Sequence, residues 1–289
     1  MGKCLFALLA TIVIVNGQSF KYDQQNLWDP QNCGSQKTRQ SPINLVSTKK
    51  ESIKNNNLHL SYNGTNAQHI QLNIVNKGYT IVTENNDKYL DLFTTDINGK
   101  SYNYQILQFH LHAPSEHQIN GKSYDLEIHF VFTLLPVDSG KTQDILAVLG
   151  VMFQVDDTKG ENPFLKSIQA SYDANTQNQA IPTTDIDATF FKDLVKTPYY
   201  KYQGSLTTPP CHEHVNWHVL TTPQTMTTSQ LNFYKSKWAG NATFANGAGN
   251  NRNIINAGNR GVTLVEGFGS RTFALISATI SMSWPACPW

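Results

Sequence analysis

Apolar and polar side chains alternate with a period of two along much of the chain, the spacing that turns one face of a β-strand inward and the other outward. The pattern predicts strands over 69–75, 79–83, 89–92, 104–111, 126–134, 145–155 and 215–220, several of them separated by turn pairs such as Asn98-Gly99 and Asn120-Gly121. Helical signals are fewer: Pro163 opens a segment over 164–172, and shorter ones fall at 187–194 and 228–237. The Asn- and Gly-rich stretch 245–258 reads as loop, and 273–282 as an apolar tail. These elements describe a mainly β protein with one continuous body.

Two of the predicted strands carry polar faces that solvation does not account for. In the first, Gln108, His110 and His112 oppose Phe109 and Leu111; in the second, Glu127 and His129 oppose Leu126, Ile128 and Phe130. A hairpin-like return through Asn120-Gly121 would set these faces side by side. The chain has 9 His in 289 residues, so three on two adjoining faces is a concentration that calls for chemistry. Three neutral imidazole nitrogens suit Zn²⁺ and leave its fourth tetrahedral position open, the arrangement of a catalytic rather than a structural zinc site. Gln108 and Glu127 stand two residues before His110 and His129 on the same faces, where each can accept the other ring N–H. Glu127 sits in an apolar run and needs such a partner if buried. His117 is read as structural, and His59, His69, His212, His214 and His218 as ordinary histidines.

Composition narrows the class. A net charge of +1 announces neither nucleic acid nor an acidic membrane as partner, and 39% hydrophobic residues suffice for a sizeable core. Lys3 followed by the uncharged run 5–15 and Asn16-Gly17 predicts a secretory signal peptide over 1–17, since the run is too short to span a bilayer. Sequons at Asn63 and Asn241 fit that route. Cleavage removes Cys4 and leaves Cys33, Cys211 and Cys287, of which two are expected to pair in an oxidising compartment; the sequence leaves open which two.

The motifs RQSPINL (39–45), QFHLHAPSEH (108–117), DLEIHFVF (125–132), LAVLG (146–150) and YQGSLTTPPC (202–211), in this order, resemble the alpha-class carbonic anhydrases. The resemblance implies a single domain, here 18–268, built on a large, mostly antiparallel twisted β-sheet with short peripheral helices and a conical zinc cleft. It implies Zn²⁺ as cofactor, held by His110, His112 and His129 with Gln108 and Glu127 behind them. It implies reversible hydration of carbon dioxide to bicarbonate, with sulfonamides and anions as inhibitors. Thr207 matches a gatekeeping threonine paired with Glu116, and Thr208 a substrate contact. Val131, Val148, Leu206, Val215 and Trp217 match the apolar wall beside the metal, and Cys33–Cys211 a disulfide found in many secreted members. The chain departs from the pattern at Tyr79, which replaces the usual proton-shuttle histidine. A phenol that titrates near 10 is a poor relay at neutral pH. The late loop retains Arg252 without its usual prolines, and 269–289 extends past the family core with no assigned role. A non-catalytic matrix or binding member of the same fold is the alternative function, and a cleaved lipid-anchor signal at the C-terminus the alternative to a soluble secreted product.

Overall fold

The computed structural model describes residues 20–34, 37–52, 58–62, 69–70, 73–84, 90–95, 100–135, 145–170, 180–182, 186–187, 190–194, 197–241 and 249–266. The segment 1–17 expected as a signal peptide, the Asn63 sequon, Cys287 and the segment 269–289 fall outside these residues. Among the described residues, no helix is long and apolar enough to cross a membrane.

A sheet of 13 strands organises the molecule. Its main path runs Ala180–Pro182, Asn73–Asn76, Ile81–Glu84, Ser101–His112, Leu126–Leu134, Leu146–Val155, Val215–Leu220, Tyr199–Gly204, Thr263–Glu266, Lys49–Ser52. Most neighbours are antiparallel, as expected, but the sheet is mixed. Leu146–Val155 pairs in parallel with Val215–Leu220 and with Gln224–Met226, as does Thr263–Glu266 with Lys49–Ser52. Short helices Pro163–Ala170, Phe190–Leu194 and Thr228–Lys235 lie outside it.

Two apolar clusters cover its two faces. One includes Tyr102, Tyr104, Ile106, Phe109, Leu111, Ile128, Phe130 and Leu149; the other includes Val131, Val148, Val215, Trp217 and Val219. Strand Ser101–His112 serves both through an irregularity. Val131 pairs with Gln108 while the next residue, Phe132, pairs with Ile106, so Leu107 is an extra residue in the ladder. Even-numbered Tyr102, Tyr104 and Ile106 and odd-numbered Phe109 and Leu111 therefore share one face, and Leu107, Gln108, His110 and His112 are rotated to the other. A regular strand would bury either the tyrosines or the histidines on the wrong side.

Several predicted elements are corrected. The single strand over 69–75 is two, His69–Ile70 paired with Ile186–Asp187 and Asn73–Asn76 within the main sheet. Tyr79 does not begin a strand: Gly78 has φ +80° and donates its N–H to Asn76 Oδ1, so 77–80 is a turn and the strand starts at Ile81. The helix over 187–194 reduces to Phe190–Leu194. Tyr199–Gly204 was not foreseen as a strand: Tyr199 and Tyr200 are adjacent and the polar Lys201 is buried between tyrosines, so polarity along this stretch does not report which positions face inward.

Candidate metal centre

Strands Ser101–His112 and Leu126–Leu134 pair antiparallel with His129 opposite His110 and Glu127 opposite His112. The expected meeting of the two polar faces thus occurs, and it places three imidazoles on one side of the sheet. Their ring centroids lie 4.9 Å (His110–His112), 5.2 Å (His110–His129) and 4.6 Å (His112–His129) apart. One nitrogen from each falls within 4.8 Å of the others. His112 and His129 are buried, while His110 and Gln108 are half-buried, so the cluster faces solvent on that side.

Each ring commits its other nitrogen to an acceptor. His110 Nδ1–H donates to Gln108 Oε1 (2.9 Å), His112 Nδ1–H to the Asn250 carbonyl (2.7 Å), and His129 Nε2–H to Glu127 Oε1 (2.9 Å). Those bonds fix the tautomers, leaving lone pairs on His110 Nε2, His112 Nε2 and His129 Nδ1. Burial depresses all three imidazoles: His110 lies well below the usual range, His112 falls to about 4, and His129 is lowered. They are neutral at physiological pH, the state a metal requires. Among the described residues, His112 Nε2 is buried without a hydrogen-bond partner, a costly arrangement for a bare acceptor that a bound cation would satisfy. The donor set therefore fits Zn²⁺.

Glu127 is fully buried and accepts four N–H groups: Glu116 N and His117 N at Oε2 (2.8 Å each), and His117 Nδ1 (2.8 Å) and His129 Nε2 (2.9 Å) at Oε1. Burial pushes its carboxyl up, but His117, His129 and their hydrogen bonds outweigh burial and hold it well below the usual carboxylate range. On its other side His117 Nε2 is hydrogen-bonded to the Tyr202 hydroxyl (2.6 Å), which is in turn hydrogen-bonded to Ser41 Oγ (2.8 Å). His117 is thus structural, as expected, and orients the metal-facing His129 through Glu127.

Thr207 and Glu116 are also buried. Burial raises the Glu116 carboxyl, outweighing His129, the nearby Thr207 hydroxyl and the Arg252 N–H, which draw it down, and the balance leaves it at about 7. Glu116 Oε1 accepts that N–H at 2.7 Å, whereas Oε2 has no partner of hydrogen-bond geometry among the described residues. Thr208 is half-buried beside Thr207. Val131, Val148, Val215 and Trp217 are buried in the cluster on the histidine face, with Leu206 packed against them, and the Trp217 and His129 rings are 4.8 Å apart.

The loop that lost its prolines is held by other means. Asn250 Oδ1 accepts from Ala113 N (2.7 Å), and Asn250 Nδ2 donates to the carbonyls of Tyr79 and Leu111 (2.8 Å each). The Arg252 guanidinium donates to the carbonyls of Ser41 (2.7 Å) and Cys33 (2.9 Å). Neither Asn250 nor the role of Arg252 was read from the sequence. Cys33 and Cys211 form the expected disulfide. Tyr79 is only 9% exposed, its ring 5.1 Å from Phe20, and burial raises its phenol to about 12. Elsewhere, His218 is buried on the opposite face against Thr94 (2.7 Å), and His59, His212 and His214 are exposed; the His69 side chain lies outside the described residues. A separate hollow of about 280 Å³, lined by Lys37, Arg39, His212 and Glu213, shares none of the metal-facing residues.

Fold and site together define a mixed-sheet protein with a cluster of three imidazoles that could hold a metal ion. The chain belongs to the eukaryotic-type carbonic anhydrase family, an enzyme family whose model matches residues 23–266. It is 32% identical to a carbonic anhydrase of Nostoc sp. over 209 residues, covering 71% of this chain and 70% of that relative. Among solved structures it is similar to the alpha-carbonic anhydrase of Thermovibrio ammonificans in complex with sulfanilamide, with 29% identity and a TM-score of 0.60 over 81% of this chain and 91% of that one. It is also similar to dioscorin complexed with ascorbate, with 26% identity and a TM-score of 0.67 over 89% and 98%.

Proposed function

We propose that this chain hydrates carbon dioxide reversibly to bicarbonate and a proton, using Zn²⁺ held by His110, His112 and His129. The observation that carries this reading is the convergence of three neutral, individually oriented imidazoles with one buried nitrogen left unpartnered. Zn²⁺ there supplies Lewis-acid activation of water, for which carbonic anhydrases are themselves the reference case.

The remaining chemistry belongs to the chain. Gln108, the Asn250 carbonyl and Glu127 aim the three rings. When Glu116 is ionised, the Thr207 hydroxyl donates toward it, presents its own lone pair to the reacting water and orients it. Val131, Val148 and Leu206 offer an uncharged molecule an apolar surface, where tight binding would gain nothing. Thr208 and the Thr207 N–H are placed to meet bicarbonate, and by analogy with the sulfanilamide complex, a sulfonamide. We also read the protein as exported and glycosylated at Asn63 and Asn241, with no nucleic acid or membrane tether as partner. The Cys33–Cys211 disulfide supports export.

A non-catalytic binding member of the fold is the second reading, and the neighbour dioscorin is solved in complex with a small molecule, ascorbate. The intact set of His110, His112, His129, Glu116 and Thr207 weighs against it. Metal analysis with stopped-flow hydration on wild type, chelated protein and His112→Ala separates the two. The expected result is stoichiometric zinc with hydration that chelation and the substitution both abolish; full activity in His112→Ala would sink the ligand assignment.

A further inference from the structure

Gly150 lies in the row of the sheet that holds His110 and His129, directly opposite His129 on one side and Val219 on the other. A side chain at this position would stand on one of the sheet's faces beside its register partners. A Cβ built there meets Glu127 Oε1 at 3.0 Å and the two Val219 methyls at 3.3 and 3.5 Å. The Glu127 carboxylate, whose own register partners are His112 and Met152, thus leans across into the space that a missing side chain leaves open.

Glu127 has no freedom to retreat. Its Oε1 accepts from His117 Nδ1 and His129 Nε2 at once, and its Oε2 is held by two backbone N–H groups. A shift of a few tenths of an ångström away from Gly150 would lengthen the Oε1 bonds that orient His117 and His129. The Val219 side is different in kind, because apolar methyls at 3.3 to 3.5 Å relax by a small side-chain movement.

We propose that Gly150 is a positioning residue of the metal centre: the absence of its side chain sets the position of Glu127 and, through Glu127, the aim of His129. This rests on the zinc reading above. No special backbone conformation demands glycine here, since Gly150 is not among the positive-φ residues, and alanine is compatible with the strand.

Gly150→Ala tests it, with Gly240→Ala as control, since a Cβ at Gly240 meets nothing within 4 Å and that change reports the general effect of replacing glycine. Two readouts are taken. In the metal-free protein, the low-field imidazole N–H resonances of His117 and His129, assigned by their loss in His117→Gln and His129→Gln, should move upfield in Gly150→Ala and stay in place in Gly240→Ala. In competition titration, zinc affinity should fall by about 10- to 100-fold, the range for losing an outer partner of a metal ligand. Adding Val219→Ala to Gly150→Ala relieves crowding on the apolar side alone and should restore neither readout. Unchanged resonances and affinity in Gly150→Ala, or recovery of both on adding Val219→Ala, would overturn the inference. A wild type that binds no zinc while Gly150→Ala still moves the resonances would instead overturn the zinc reading and leave the positioning of Glu127 standing.

Discussion

At the scale of single residues, Tyr79 is the sharpest departure and its burial sets an expectation for turnover. The proton released by hydration needs a carrier whose pKa is near that of the medium, and a phenol raised to about 12 by burial is further from that value than a free tyrosine. Stopped-flow turnover should therefore rise as imidazole-type buffer is added at constant pH and ionic strength. Tyr79→His should leave this dependence in place, because an imidazole in the same pocket against Phe20 would be desolvated and its pKa driven down. Buffer-independent turnover in either protein would refute this. The neighbouring residues show what a sequence discloses. Gln108 and Glu127 were legible because each precedes its histidine by two positions on one strand face, a local rule. Asn250 was not, since His112 bonds its backbone carbonyl, a group every residue carries, from 138 positions away.

At the scale of elements, the extra residue at Leu107 decides which face the histidines see. Deleting it should force either Tyr102, Tyr104 and Ile106 or His110 and His112 onto the wrong side of the sheet. Zinc binding and the cooperative unfolding transition should be lost together, by titration and by thermal melting monitored with circular dichroism. A deletion variant that melts like wild type and keeps its zinc would show that the register recovers elsewhere. The long strands on either side of the site were legible in outline: 126–134 was read with its observed bounds and 145–155 to within one residue, because one apolar face is continuous in each. Tyr199–Gly204 and the edge pair of Lys49–Ser52 with Thr263–Glu266 were not, the first because its polar Lys201 is buried between tyrosines and the second because it is held by pairing between distant segments.

At the scale of the whole molecule, the Cys33–Cys211 disulfide closes 178 residues and ties the N-terminal helix Pro30–Cys33 to the segment that carries Thr207 and Thr208. In the chain-entropy account such a closure stabilises the fold by about 5 kcal/mol. Protein recovered from the medium of expressing cells should begin after the signal peptide and carry no free thiol at Cys33 or Cys211. Reduction should lower its denaturation midpoint correspondingly, and equal midpoints with and without reductant would refute the contribution. The same long reach bears on how the protein is made. The Asn250 carbonyl that fixes the His112 tautomer lies 138 residues downstream of it. A ribosome adding about 5–20 residues per second makes His112 roughly 7 to 28 seconds before it has made Asn250. Throughout that interval the nascent chain offers imidazoles without their full orientation to any divalent ion present, and copper outcompetes zinc for unconstrained nitrogen ligands. On the zinc reading, the full orientation that selects the metal is available only once Asn250 has been made, and the compartment in which folding finishes becomes part of metal selectivity.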